Sequence, residues 1–124
     1  MSIKDFIKQH NLIGSLLESI SVNKEDNSIC LEIDYCYWQQ SNYKEGDEET
    51  AILLFSFENC SSYSFDDYAI NSDEIVKADI VDDELDICVE SDITGDYHHI
   101  IINAQNVTVI RNEGTWCGTF DKRI

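Results

Sequence analysis

Five cysteines, three histidines and 25 carboxylates are the groups in this 124-residue chain that could do chemistry. His98 and His99 are adjacent. On a strand they point to opposite faces, so they cannot chelate one metal together as a helical i,i+4 pair can. One of them could take a metal with Asp92 or Asp96, but a solvated or capping role is the simpler expectation. The stretch TWCG at 115–118 would suit dithiol exchange if a second thiol followed; Gly118, Thr119 and Phe120 follow instead, and Cys117 reads as structural. Cys–His catalysis needs a nucleophile, a base and an orienting group in reach of one another, and no pairing here has local support. The acidic loops lack the D-x-[DN]-x-[DN]-G spacing of a calcium loop, and there is no P-loop, G-x-G-x-x-G or G-x-S-x-G. The expectation is a protein without catalytic residues, metal site or cofactor.

Charge is the outlying property. Asp and Glu outnumber Lys and Arg by 25 to 8, a formal net charge of −17. Such an excess repels itself in the compact state. It opposes binding to nucleic acid or to an anionic membrane, which need Lys and Arg. It favours fast, salt-sensitive association with a basic partner. Acidity also serves solubility, and a sheet with one wet face needs polar residues there in any case. The first residues contain no apolar run of the signal-peptide kind, and no run reaches the length of a membrane span. Reduced cysteines in a cytoplasmic protein are expected.

The elements that position these groups follow from period and punctuation. Ser2 with Asp5 three residues on marks a helix start, and Ile3, Phe6 and Ile7 share a face of a helix ending near Asn11. The pattern then takes period two. Strands are predicted at 17–23, with Ile20 and Val22 inward, and at 28–38. In the latter, Ile29, Leu31, Ile33, Tyr35 and Tyr37 face in while Cys30, Glu32, Asp34, Cys36 and Trp38 face out. Residues 39–49 form a polar loop. The run 51–57 is apolar on both faces and belongs in the centre of a sheet, and 60–66 is a candidate fourth strand. Two hairpins follow, 75–81 with 85–91 and 98–104 with 107–111. In the first of these Val76, Ala78, Ile80, Leu85, Ile87 and Val89 face in. The tail from 112 is expected to pack over an edge. The sum is a single domain over 1–124 of α+β class: an N-terminal helix packed with a meandering antiparallel β-sheet of about six to eight strands.

On this reading Glu18, Glu32, Asp34, Asp79, Asp86 and Glu90 lie on the solvated face. Like charges directly opposite each other destabilise a sheet unless they are well solvated or neutralised by a partner. The loop at Tyr43, Glu45, Asp47, Glu48 and Glu49 adds to the field, and Trp38 stands beside it. Carboxylates around aromatic anchors suit a protein–protein site for a basic target. The partner-binding set is therefore Glu32, Asp34, Trp38, Tyr43, Glu45, Asp47, Glu48, Glu49, Asp79, Asp86 and Glu90.

The short helix, the pair LLESISVNKEDNSICLEIDYCYWQ, the apolar strand ILLFSFEN and the acidic hairpins resemble small acidic bacterial immunity proteins of polymorphic and contact-dependent growth inhibition toxin systems. The resemblance implies a non-enzymatic antitoxin that binds and neutralises a basic toxin domain, often a nuclease. Two other readings stay open: a DNA-mimic inhibitor of several basic DNA-binding proteins, and a small-molecule-binding domain with Tyr35, Tyr37 and Tyr63 lining a cavity between sheet and helix.

Overall fold

The helix forms where its cap allows. The Ser2 hydroxyl accepts the Asp5 amide at 3.1 Å and α1 runs Ile3–Gln9, with Ile3 and Phe6 buried. The chain leaves α1 in an extended conformation at His10 and turns at Gly14, whose φ is +87°. That left-handed conformation favours glycine, and a side chain here would also have to displace the Gln39 amide. A computed structural model describes residues 1–46 and 48–111, residue 111 by its backbone alone. The expectations for Cys117 and for the tail lie outside the described residues.

Six strands follow: β1 Leu16–Asn23, β2 Ser28–Cys36, β3 Thr50–Phe65, β4 Asp73–Val81, β5 Glu84–Glu90 and β6 Tyr97–Arg111. The α+β class and the antiparallel meander are as the sequence implies, with one short helix packed against the sheet. Four details differ. β2 stops at Cys36, and Tyr37–Gln39 turn into a 3-10 helix because the Tyr37 and Trp38 amides bond the Glu49 carbonyl instead of continuing the ladder. Cys36 is buried and not outward, since the Ser15 hydroxyl accepts its amide at 2.9 Å and its thiol bonds the Gly14 carbonyl.

Residues 51–57 and 60–66 fuse into β3, and the hairpin expected at 98–111 is the single strand β6. These two long strands pair from Leu53↔Arg111 to Phe65↔Ile100, and one register shift at Cys60/Ser62 absorbs the irregularity that reads as a break. The Gln105-Asn106 pair does not turn; both side chains bond across to Asn59 and Glu58 of β3. Finally, a register shift between Ile75 and Lys77 changes the phase of β4, so Ile75 is the fully buried residue and Val76 is only partly buried.

The sheet closes. Its order is β1-β2-β3-β6-β5-β4, with β4 returning to β1 through Leu16↔Glu74 and Leu17↔Asp73. One core fills the interior, built from alternate residues such as Ile29, Leu31 and Ile33 of β2, Phe55 and Phe57 of β3, and Ile100 and Ile102 of β6. Phe6 enters it from α1 and meets Phe55 and Phe57 edge to face, with ring centroids at 5.2 and 5.6 Å. Tyr35 packs against Phe55, Tyr37 and His10. Removing the Phe6 ring should leave a void that a closed wall cannot collapse around. Phe6→Ala is expected to cost about 3–5 kcal/mol in urea unfolding; a loss below about 1 kcal/mol would mean that the helix does not hold the core together.

Candidate functional site

Closure decides where the carboxylates stand. β2 lies between β1 and β3, and β5 between β6 and β4, so the two are three steps apart around the ring in either direction. Glu32 therefore occupies the opposite wall from Asp79, Asp86 and Glu90, and Asp34 of the same strand lies nearer the β1–β4 joint. The single acidic face expected from the alternation is divided in two.

The β4–β5–β6 wall concentrates charge. Leu85, Ile87 and Val89 are fully buried, which turns Asp86, Cys88 and Glu90 outward. The register sets Asp79 directly opposite Asp86, and Glu74 opposite Glu90. His99 Nδ1 lies 2.8 Å from Asp86 Oδ1, and Lys77 Nζ lies 3.8 Å from Asp79 Oδ2. Next to Glu90 stands Tyr97, 62% exposed, whose hydroxyl bonds the Glu90 carboxylate; that bond and the carboxylate's charge push the phenol pKa up. At the far end Asp82 and Asp83 form a tight turn with φ values of +51° and +65°, and Val81 beside them is exposed.

The β1–β2–β3 wall is different. Glu32 accepts the Ser19 hydroxyl at 3.1 Å and Glu18 accepts that of Ser72 at 2.7 Å. Glu32 stands opposite Leu54, which is buried, and Asp34 opposite Ile52. Here carboxylates alternate with apolar side chains and are not paired with one another. Trp38 is 54% exposed on the 3-10 turn, Tyr43 is half-buried, and Glu45, Glu48 and Glu49 are exposed in the following loop; Asp47 lies outside the described residues. A cleft of about 460 Å³ opens beside them between α1 and the 3-10 turn. Lys8, Gln9, Asn11, Gln39 and Asn42 are among the residues that line it, none of which is acidic.

Burial raises the pKa of Cys30, Cys36, Cys60 and Cys88; that of Cys30 is pushed up to about 12, with the Glu32 charge adding to the effect. Among the described residues no group of three or more His, Cys, Asp or Glu is placed to hold a metal, and no helix is long and apolar enough to cross a membrane. The two histidines do point to opposite faces: His99 outward to Asp86, His98 to Asp66 with Nδ1 at 3.0 Å.

His98 belongs to a cluster that the sequence does not announce. Its ring stacks on Tyr68 at 3.7 Å and 5°. The Tyr68 hydroxyl is buried and turned toward Asp73 without direct hydrogen-bond geometry, and burial followed by the Asp73 charge raises its pKa. Asp73 is fully buried; its Oδ1 accepts the Asp92 amide at 2.9 Å and its Oδ2 has no partner among the described residues. Tyr68 lies in a polar stretch that reads as an ordinary loop, and the β3–β6 ladder, which ends at Phe65↔Ile100, carries it over His98 of β6. No protein-family model, curated protein or solved structure matches the chain.

Two expectations follow. Asp79→Asn removes one member of a like-charged pair and should stabilise the fold by a few tenths of a kcal/mol, about 1 kcal/mol at most, at low ionic strength. The gain should shrink in high salt as the Debye length contracts; a gain independent of salt would show that packing and not repulsion was relieved. Asp73→Asn keeps the acceptor for Asp92 while removing a buried charge, and Asp73→Ala loses both. The first should raise the urea midpoint, and the second should lower stability by about 1–3 kcal/mol. The reverse order would mean that the carboxylate itself is what the site needs.

Proposed function

We propose that this protein is a non-enzymatic inhibitor of the immunity or antitoxin type, which binds a basic protein domain, such as a nuclease toxin, on its β4–β5–β6 wall. The observation that carries the reading is the pair of like-charged cross-strand contacts, Asp79↔Asp86 and Glu74↔Glu90, in register on one outer face. A sheet gains nothing from such pairs in the free protein. A cationic surface laid over them converts the repulsion into attraction, so stability withheld from the free fold becomes affinity. The exposed Tyr97 and Val81 at either end supply apolar contact, with carboxylates around them to steer the encounter.

The same argument ranks the other carboxylates. Glu32 stands beside Leu54 on β2, three strands from β5, whereas Asp34 lies nearer the first wall, since Leu16 pairs with Asp34 on one side and with Glu74 on the other. Trp38, Tyr43 and the 45–49 loop form a separate end of the molecule.

The test compares walls. Immobilised wild type, a Glu74→Lys/Asp79→Lys/Glu90→Lys variant and a Glu32→Lys/Asp34→Lys variant are exposed to lysate of the source organism at low and moderate salt. One basic protein should be retained at moderate salt by the wild type and the β2 variant and lost by the first variant. Equal retention by all three would remove the interface from this wall. Retention of many basic proteins, all lost as salt rises, would favour a DNA mimic instead.

A further inference from the structure

The loop from Ser91 to Asp96 joins β5 to β6 at the end of the wall where Glu74, Glu90 and Tyr97 form one row across three strands. Every backbone amide of this loop has an acceptor. The Ser91 amide bonds the Asp96 carbonyl at 2.8 Å, and the Gly95 amide bonds the Ser91 carbonyl at 2.9 Å. The Ser91 hydroxyl, itself buried, accepts the Ile93 and Thr94 amides, both at 3.3 Å. The Thr94 hydroxyl accepts the Asp96 amide at 3.2 Å. The Asp92 amide bonds the fully buried Asp73 carboxylate at 2.9 Å, which ties the loop to the start of β4. Gly95, with φ at +77°, completes the turn.

This ordered backbone holds Ile93 in water. Ile93 is 60% exposed and Tyr97 is 62% exposed, the two most exposed large hydrophobic side chains among the described residues. One apolar side chain alone on a surface is ordinary. Here two stand at the ends of a five-residue stretch whose shape is already set by hydrogen bonds. The charge around them has one sign. Glu90, Asp92 and Asp96 adjoin them along the chain, and Lys77 is the only Lys or Arg between residues 45 and 110. Its ammonium stands beside Asp79, at 3.8 Å. A second copy of the chain would bring the same carboxylates against these, which argues against self-association at this end.

We infer that Ile93 and Tyr97 anchor the partner interface: they enter an apolar recess on the basic partner, and lysine or arginine side chains at its rim meet Glu90, Asp92 and Asp96. The inference rests on the inhibitor reading above and sets the centre of the contact at the β5–β6 end of the wall. Apolar anchors ringed by polar contacts carry most of the binding energy of an interface, because the ring keeps water from the centre. A loop ordered before it docks loses little freedom on docking. Charge complementarity then selects a recess with a cationic rim over an uncharged or acidic one.

The test uses the full chain and an amino-substituted β-cyclodextrin, whose apolar cavity is rimmed by ammonium groups, with the neutral and carboxylated forms as controls. Methyl, ring and amide spectra are read residue by residue. The amino form should shift the Ile93 methyls and the Tyr97 ring and bind there at least about fivefold more tightly than the neutral form, and Ile93→Ala should weaken it by a similar factor. The carboxylated form should leave both residues unchanged. Equal binding of the three forms, or none at Ile93, would overturn the inference. So would a Tyr97 response that Ile93→Ala leaves unaltered. Nuclear Overhauser contacts between Ile93 and residues 112–124 in the free protein would assign the pair to the chain's own tail and overturn it as well. In the capture comparison above, Ile93→Ala should lose the basic protein that wild type retains at moderate salt. Its retention by Ile93→Ala and loss by the Glu74→Lys/Asp79→Lys/Glu90→Lys variant would overturn the anchor and leave the inhibitor reading standing. Retention by both variants would overturn the anchor and the wall together.

Discussion

Two residue pairs, Leu16↔Glu74 and Leu17↔Asp73, turn a meander into a barrel. Each half of the chain is a three-stranded meander, β1-β2-β3 and β4-β5-β6, and a lone three-stranded sheet of this size would leave one apolar face in water. The β3–β6 ladder joins the halves along one side, and the seam joins them on the other. With both joints made, the inward face of every strand looks onto one core, and Phe6 enters from the helix to fill it. The joint continues past both strand ends: Ile75 exchanges backbone hydrogen bonds with Gly14 and Ser15, and the Ser72 hydroxyl bonds Glu18.

Closure also sorts the charge. A flat sheet would set the carboxylates of β2 and β5 on one surface and let their repulsion accumulate. Wrapping the sheet moves them to opposite walls, with the hydrophobic core between, and exposed charges separated by more than about 8–10 Å are largely screened at physiological ionic strength. What remains is local repulsion on each wall, and the two walls treat it differently. Around Glu32 and Asp34 it is diluted by Ile52, Leu54 and Ser19. On β4 and β5 it is left in place as facing pairs, with Lys77 near Asp79 and the His99 ring beside Asp86.

The sequence shows the elements more clearly than their joints. Alternation in β2 and β5 is strict enough that Ile29, Leu31, Ile33, Leu85, Ile87 and Val89 are legible as core, and Ser2 with Asp5 is legible as a helix start. Where backbone hydrogen bonding changes phase without changing composition, the reading slips. The register shift at Ile75/Lys77 moves the buried position by one residue, and the shift at Cys60/Ser62 hides the continuity of β3. Gln105-Asn106 looks like a turn because its residues are polar, yet both side chains find partners on β3. Asp79, Asp86 and Glu90 are legible as outward carboxylates, but their separation from Glu32 and Asp34 depends on closure, which no local pattern encodes. The cluster of Asp66, Tyr68, Asp73 and His98 is hidden for a related reason: its members lie on a loop and on the starts of β4 and β6, brought together by the β3–β6 and β4–β5–β6 pairings and not by any local pattern.

The contrast between the walls, more than the net charge, is what argues for function. Solubility alone asks for dispersed charge, and the β1–β3 wall meets that demand with carboxylates set among serines and aliphatic residues. Stability alone would place opposite charges across β4 and β5, where a single lysine at Asp79 or Glu74 would convert repulsion into an ion pair. The fold does neither on that wall. It holds Asp79 against Asp86 and Glu74 against Glu90, and it leaves Tyr97 and Val81 in water at the margins. Like charges set opposite one another are unfavourable in a sheet, and on the reading proposed above contact with a cationic, partly apolar surface would reverse that sign. A feature unfavourable alone and favourable in complex is the physical signature of a binding face.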